Sequence, residues 1–233
     1  MGRAKCLVHV GWHLGDILSQ FPALKHLSKT YDVFVQCEKK YETIFELIDY
    51  AKVGDPGEPC RFYDLQVFGN DQRIHDLFIG KDKGCLPVLY PYRCYDELRA
   101  AENDPIVFDR WPDMDIGSYE YYLVAPFGYS QKFLPGLNWM VKKAMELWPA
   151  SLDKIWVLND KPVEDCPFPV ITAENLSHLA GIIVHAKEFF TVNSAPTYVA
   201  SVVRENYYHL HDPEGYDWTA ENKILVYHER WPK

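Results

Sequence analysis

Three short stretches hold residue types able to do chemistry. In "HVGWHLGDILSQFPALKHL" (9–27) a Gly-Asp pair joins an apolar segment to an amphipathic one, and Asp16 falls in the tight connection. A carboxylate there can cap a helix, which is worth about 1 kcal/mol. It can also take the proton of an attacking hydroxyl. Spacing alone favours the cap, and the helix dipole is expected to lower the Asp16 pKa. In "FFTVNSAPTYVASVV" (189–203) an apolar strand ends, Asn193 or Ser194 can cap, and Pro196 suits a first helical turn. Such a helix start is expected to present several backbone N–H groups to a phosphate or diphosphate, although many ordinary strand–helix connections begin the same way. In "APFGYSQKFLPGLNW" (125–139) Ser130 and Lys132 follow a strand and precede a helix, so Lys132 could neutralise phosphate charge or simply lie solvated in a loop.

The elements that must position these residues alternate. "CLVHV" (6–10) predicts a buried strand, and Ile17, Phe21, Leu24 and Leu27 make a helix face in which Pro22 predicts a kink or late start. "DVFVQC" (32–37) predicts the next strand and "YETIFELI" (41–48) the next helix. The middle, 53–118, is turn-rich, with a helix expected near 71–79, a strand at "PIVF" (105–108) and a linker at 109–118. The alternation then restarts: strands at 121–128, 154–160 and 189–193, and helices carrying Leu137 to Leu147, Leu176 to Ile183 and 195–203. This βαβ pattern predicts an α/β protein of two Rossmann-like parallel-sheet domains facing a cleft, split at 1–116 and 117–233.

The chain has 233 residues, 48% of them apolar and 24% charged, enough for one large or two small domains. Its net charge of −9 argues against a general nucleic-acid surface while leaving room for a local basic patch. No apolar run reaches the roughly 20 residues that span a bilayer. Six scattered cysteines without a C-x-x-C pair suggest reduced thiols and a cytoplasmic location.

Together, and in this order, the stretches resemble the heptosyltransferase-like glycosyltransferases of family 9, which have the two-domain GT-B fold. The resemblance lies in "GWHLGDILSQFPALKHLSKTYDVFVQC", in "LSHLAGIIVHAKEFFTVNSAPTYVASVV" and in "HLHDPEGYDW" (209–218). It covers the two ends of the chain better than the middle, and the chain is shorter than the family pattern implies, with the N-terminal half trimmed. The resemblance implies an acceptor-side N-terminal domain and a donor-binding C-terminal one. It makes Asp16 the base on the acceptor hydroxyl. It makes Ser130, Lys132, Asn193, Ser194, Ala195 and Thr197 the donor-phosphate contacts, with Gly15, His13, Tyr198 and Asp212 as candidate cleft residues. The implied reaction moves a sugar from a nucleotide-diphosphate donor, a substrate rather than a cofactor, to a hydroxyl with inversion and without a metal. Asn193, Ala195 and Tyr198 stand where the family pattern has Asp, Gly and His. A nucleotide- or sugar-binding protein of the same fold that has lost transfer is therefore the alternative. A nucleotide or modified DNA base is the alternative acceptor. Two metal readings are weaker. "DMD" (113–115) follows "RWP" instead of closing an apolar strand, and His209, His211 and Asp212 lack a well-spaced further ligand.

Overall fold

The computed structural model describes residues 2–11, 13–66, 72–73, 90–110, 120–127, 136–148, 152–192, 194–210 and 224–227. Two compact units are built from Met1–Trp111 and from Pro112–Arg230. In the first, the apolar run near the N-terminus forms β1 (Ala4–His9), with Cys6 and Val8 fully buried. It pairs in parallel with β2 (Tyr31–Gln36), which in turn pairs with the short β3 (Lys52–Val53). On its other side β1 pairs in parallel with β4 (Arg61–Asp64), giving the order β3-β2-β1-β4. The chain thus steps outward from β1 to β3 and then reverses to β4. The reversal lies between β1 and β4, the place where open α/β sheets take ligands beyond their carboxyl ends.

The helical stretch after β1 divides as Pro22 predicts. α1 (Leu14–Ser19) ends at Gln20, and α2 (Phe21–Leu27) carries the proline in its first turn, where a missing N–H costs little. Tyr92, on α3 (Tyr90–Cys94), spans the break: its hydroxyl donates to the Ser19 carbonyl at 2.6 Å and accepts the Ala23 N–H at 3.3 Å.

The helix expected at 41–48 forms over Lys39–Leu47, as a 3-10 helix. Only Ile44 and Phe45 of that run are buried, so it has no continuous apolar stripe to lay against the sheet. "PIVF" (105–108) is not a strand. Ile106 and Phe108 enter the core, but the Val107 carbonyl accepts the Tyr50 hydroxyl at 2.8 Å, a side-chain partner in place of a ladder. Of the helix expected near 71–79, Gln72 and Arg73 are helical and the rest lies outside the described residues, as do 111–118 of the expected linker.

The second unit has the order β10-β9-β8-β5-β6-β7. β5 (Tyr122–Ala125), β6 (Ile155–Leu158), β7 (Val170–Ile171), β8 (Glu188–Val192) and β9 (Tyr207–Leu210) are mutually parallel, and β10 (Ile224–Tyr227) is antiparallel to β9. α4 (Leu137–Leu147), α5 (Leu176–His185) and α6 (Ala195–Val203) are the intervening helices. Met140, Val141 and Ala144 of α4 pack with Val124, Ile155, Phe190 and Val192 of the sheet. Arg204 closes α5, donating to the carbonyls of Ile183 at 2.9 Å and Ala186 at 2.6 Å, a favourable place for a cation at a helix C-terminus. His209 and Leu210, which open the "HLHDPEGYDW" stretch, belong to β9. β4, β9 and β10 were not marked by the sequence pattern. Among the described residues no helix is long and apolar enough to cross a membrane.

Candidate functional site

In the first unit Asp16 stands in the first turn of α1, directly after the carboxyl end of β1. Its Oδ2 accepts the backbone N–H of the N-cap His13 at 3.2 Å. Gly15 lies beside it, buried, while His13 is exposed. Asp16, Gly15 and His13 are therefore brought together. The expected lowering of the Asp16 pKa is not what the structure gives. Burial raises it above the usual carboxylate value, outweighing the favourable effects of the His13 side chain and N–H. Raised basicity suits a proton acceptor better than a dipole-stabilised carboxylate would.

The second unit also reverses its strand order. From β5 the chain steps to β6 and β7 on one side, then crosses to β8 on the other. The two segments read as donor-binding leave from the carboxyl ends of these adjacent strands, which pair Ala125 with Thr191. Ser130, Lys132, Asn193 and Asp212 lie outside the described residues. Ser194, Ala195, Thr197 and Tyr198 are together at the start of α6.

The start of α6 departs from the expectation of several outward N–H groups. Pro196 has none, the Ser194 N–H reaches Thr197 Oγ1 at 3.4 Å, and the Thr197 N–H donates to the Ser194 carbonyl at 2.9 Å. That leaves the Ala195 N–H as the remaining donor of Ser194–Thr197. The hydroxyls also turn inward: Thr191, Ser194 and Thr197 all donate to the Val192 carbonyl, at 3.0, 3.1 and 2.6 Å. Thr197 is 1% exposed and Tyr198 is buried as well. Their side chains build the turn from within.

No family model and no curated protein matches the chain in sequence. Solved structures do match it in three dimensions. ADP-heptose LPS heptosyltransferase II of E. coli superposes with a TM-score of 0.59 at 14% identity, over 90% of this chain and 86% of its own. The family 9 glycosyl transferase of Veillonella parvula DSM 2008 gives 0.59 at 12% identity, over 85% and 77%. The fold is that of the GT-B heptosyltransferases. TibC, an iron-containing dodecameric heptosyltransferase solved with ADP-D-β-D-heptose, gives a TM-score of 0.61 at 12% identity over 89% of this chain. The chain spans only 58% of the length of TibC. Among the described residues no three His, Cys, Asp or Glu side chains gather as a metal site.

Within this GT-B chain the inward hydroxyls make a stability prediction. Thr197→Val keeps the side-chain shape but removes a buried hydroxyl from the Val192 carbonyl and the Ser194 N–H. The loss is expected to be about 1–3 kcal/mol, or several degrees in a thermal melt. Ser194→Ala, at a partly exposed residue, should cost less; the reverse ranking would mean that Thr197 is not the organising group.

One polar cluster, at the carboxyl end of β1, involves none of the residues singled out from the sequence. His9 closes β1 opposite Asp64, the last residue of β4, and Gln66 reaches back to both. The signal that could have found His9 is position: it is the polar residue at the carboxyl end of the first strand.

Proposed function

We propose that the chain is a glycosyltransferase that moves a sugar from a nucleotide-diphosphate donor to an acceptor hydroxyl. The observation that carries this reading is positional. Asp16 in the first unit, and Ser194 and Ala195 in the second, follow strands beside which the strand order reverses, on a fold shared with enzymes that use ADP-heptose. Asp16 takes the proton of the acceptor hydroxyl as its oxygen attacks the anomeric carbon. The bond from that carbon to the diphosphate breaks, and the nucleoside diphosphate leaves with the electron pair. One displacement of this kind inverts the anomeric centre. The charge of the departing group is assigned to Lys132 and to the start of α6 near Ala195, so the reading requires no metal.

A second reading has its own support. The committed N–H groups and inward hydroxyls at the start of α6, with Asn193 and Ala195 in place of Asp and Gly, leave less for a diphosphate to bind. They favour a protein that binds a nucleotide or sugar without transferring it.

Thermal unfolding against millimolar nucleoside diphosphates and ADP-heptose tests the donor site. A ligand at about 100 times its dissociation constant adds roughly 2.7 kcal/mol, expected to appear as a rise of several degrees for one base and not the others. Release of the nucleoside diphosphate then separates transfer from binding. A flat response to every nucleotide would count against both readings.

A further inference from the structure

The connection that leads from β1 to Asp16 is held by a residue far along the chain. Gln66 lies 57 residues beyond His9, and its Nε2 is 3.0 Å from His9 Nε2. The Gln66 backbone N–H donates to Asp64 Oδ1 at 3.2 Å, and that oxygen is 3.8 Å from His9 Nδ1. With the proton on Nδ1, the imidazole accepts from the Gln66 amide and turns its N–H toward Asp64. The Leu65 N–H donates to the His9 carbonyl at 2.9 Å, so backbone and side chain grip the same residue. The Gln66 amide also rests on Gly11, where a Cβ would lie 2.3 Å from Nε2. Gly11 does not have a positive φ, so what position 11 needs is clearance and not glycine's conformational freedom.

A short helix needs such a hold. α1 has only six residues, too few to fix its own direction, and the Asp16 bond to His13 is local to that helix. We propose that Gln66, acting with His9 and Asp64, is a positioning element that fixes the backbone entering the Asp16 helix, and that Gly11 is required for its amide to seat. This rests on the transferase reading of Asp16. A displacement of about 1 Å at a reacting group can cost roughly 100-fold in rate.

The test is a double-mutant cycle on the full chain, using Gln66→Ala, Gly11→Ala and both together. Alanine at position 11 meets only the far end of a flexible side chain, so it should evict the amide without unfolding the unit; melting temperatures check this. Two readouts are followed: release of ADP from ADP-heptose, and the carbon-13 titration of the Asp16 carboxyl, assigned with Asp16→Asn. Each single variant is expected to lower kcat roughly 10- to 100-fold with the KM for ADP-heptose unchanged. Each should also bring the Asp16 midpoint back toward the ordinary 3.8 as water reaches the loosened turn. In the Gln66→Ala background, Gly11→Ala should cost nothing more, because the space is already open. Additive losses, or an Asp16 midpoint that does not move in either single variant, would overturn the proposal. If the unaltered chain releases no ADP even with sugar-hydroxyl acceptors supplied, the transferase reading with this donor fails, while the titration still decides whether Gln66 positions Asp16.

Discussion

Asp16→Asn should abolish transfer while leaving the fold at least as stable as before. A positioned general base contributes about 100- to 10,000-fold, and an amide cannot take the acceptor proton. The same amide can still accept the His13 N–H through its oxygen, so the helix start survives. The stability arm follows from burial, which raises the Asp16 pKa above 3.8 in the folded chain. Between the ordinary carboxylate value and the raised one, the folded state keeps a proton that the unfolded state has released. Stability therefore falls as pH rises through that window and stays lower above it. Asparagine pays no such desolvation. The variant's melting temperature should match the parent's below the window and exceed it at neutral pH. The donor's thermal shift should be unchanged. Full turnover in the variant would make Asp16 a cap and nothing more. A melting temperature that falls at neutral pH would mean that the ionised carboxylate stabilises the turn.

Phe21→Ala is expected to give the largest loss of stability. Phe21 opens α2 immediately after the break from α1 and is fully buried. Its ring centroid lies 5.6 Å from those of Phe45 and Phe108 and 6.4 Å from that of Tyr50. These rings belong to the 3-10 helix, the 105–108 stretch and the segment between 3-10 helix and β3, so one side chain joins three irregular pieces to α2. Removing it empties a cavity that they cannot fill by a small shift. The expected cost is about 3–5 kcal/mol, or on the order of 10 °C in the melt. Phe21→Leu, which refills much of the volume, should recover most of it. A loss below about 1 kcal/mol in the alanine variant would mean that the surrounding rings collapse inward and that the site is not tightly packed.

The alternation of strands and helices was legible because each element rests on neighbours in sequence. β1, β2 and β8, the α1–α2 break at Pro22, and α4 to α6 all follow from apolar spacing and caps read within a dozen residues. The expectation failed where a segment's state depends on distant partners. The expected strand at 105–108 does not form, because Ile106 and Phe108 satisfy a core without joining a ladder, and the helix at Lys39–Leu47 forms but buries too little surface to be an α-helix. The start of α6 shows the same limit at the scale of single atoms. A helix with proline in its first turn was readable, yet three hydroxyls converging on the Val192 carbonyl were not.

The sequence by itself determined that this is an alternating α/β chain and that Asp16 and Ser194 stand at helix starts after strands. Those are consequences of local periodicity and backbone geometry. Only the tertiary structure decided the direction of the Asp16 pKa, because desolvation depends on what the fold packs around a carboxylate. It alone placed Asp64 beside His9 and Gln66 over Gly11, since strand order and side-chain clearance are set by contacts between residues far apart in the chain.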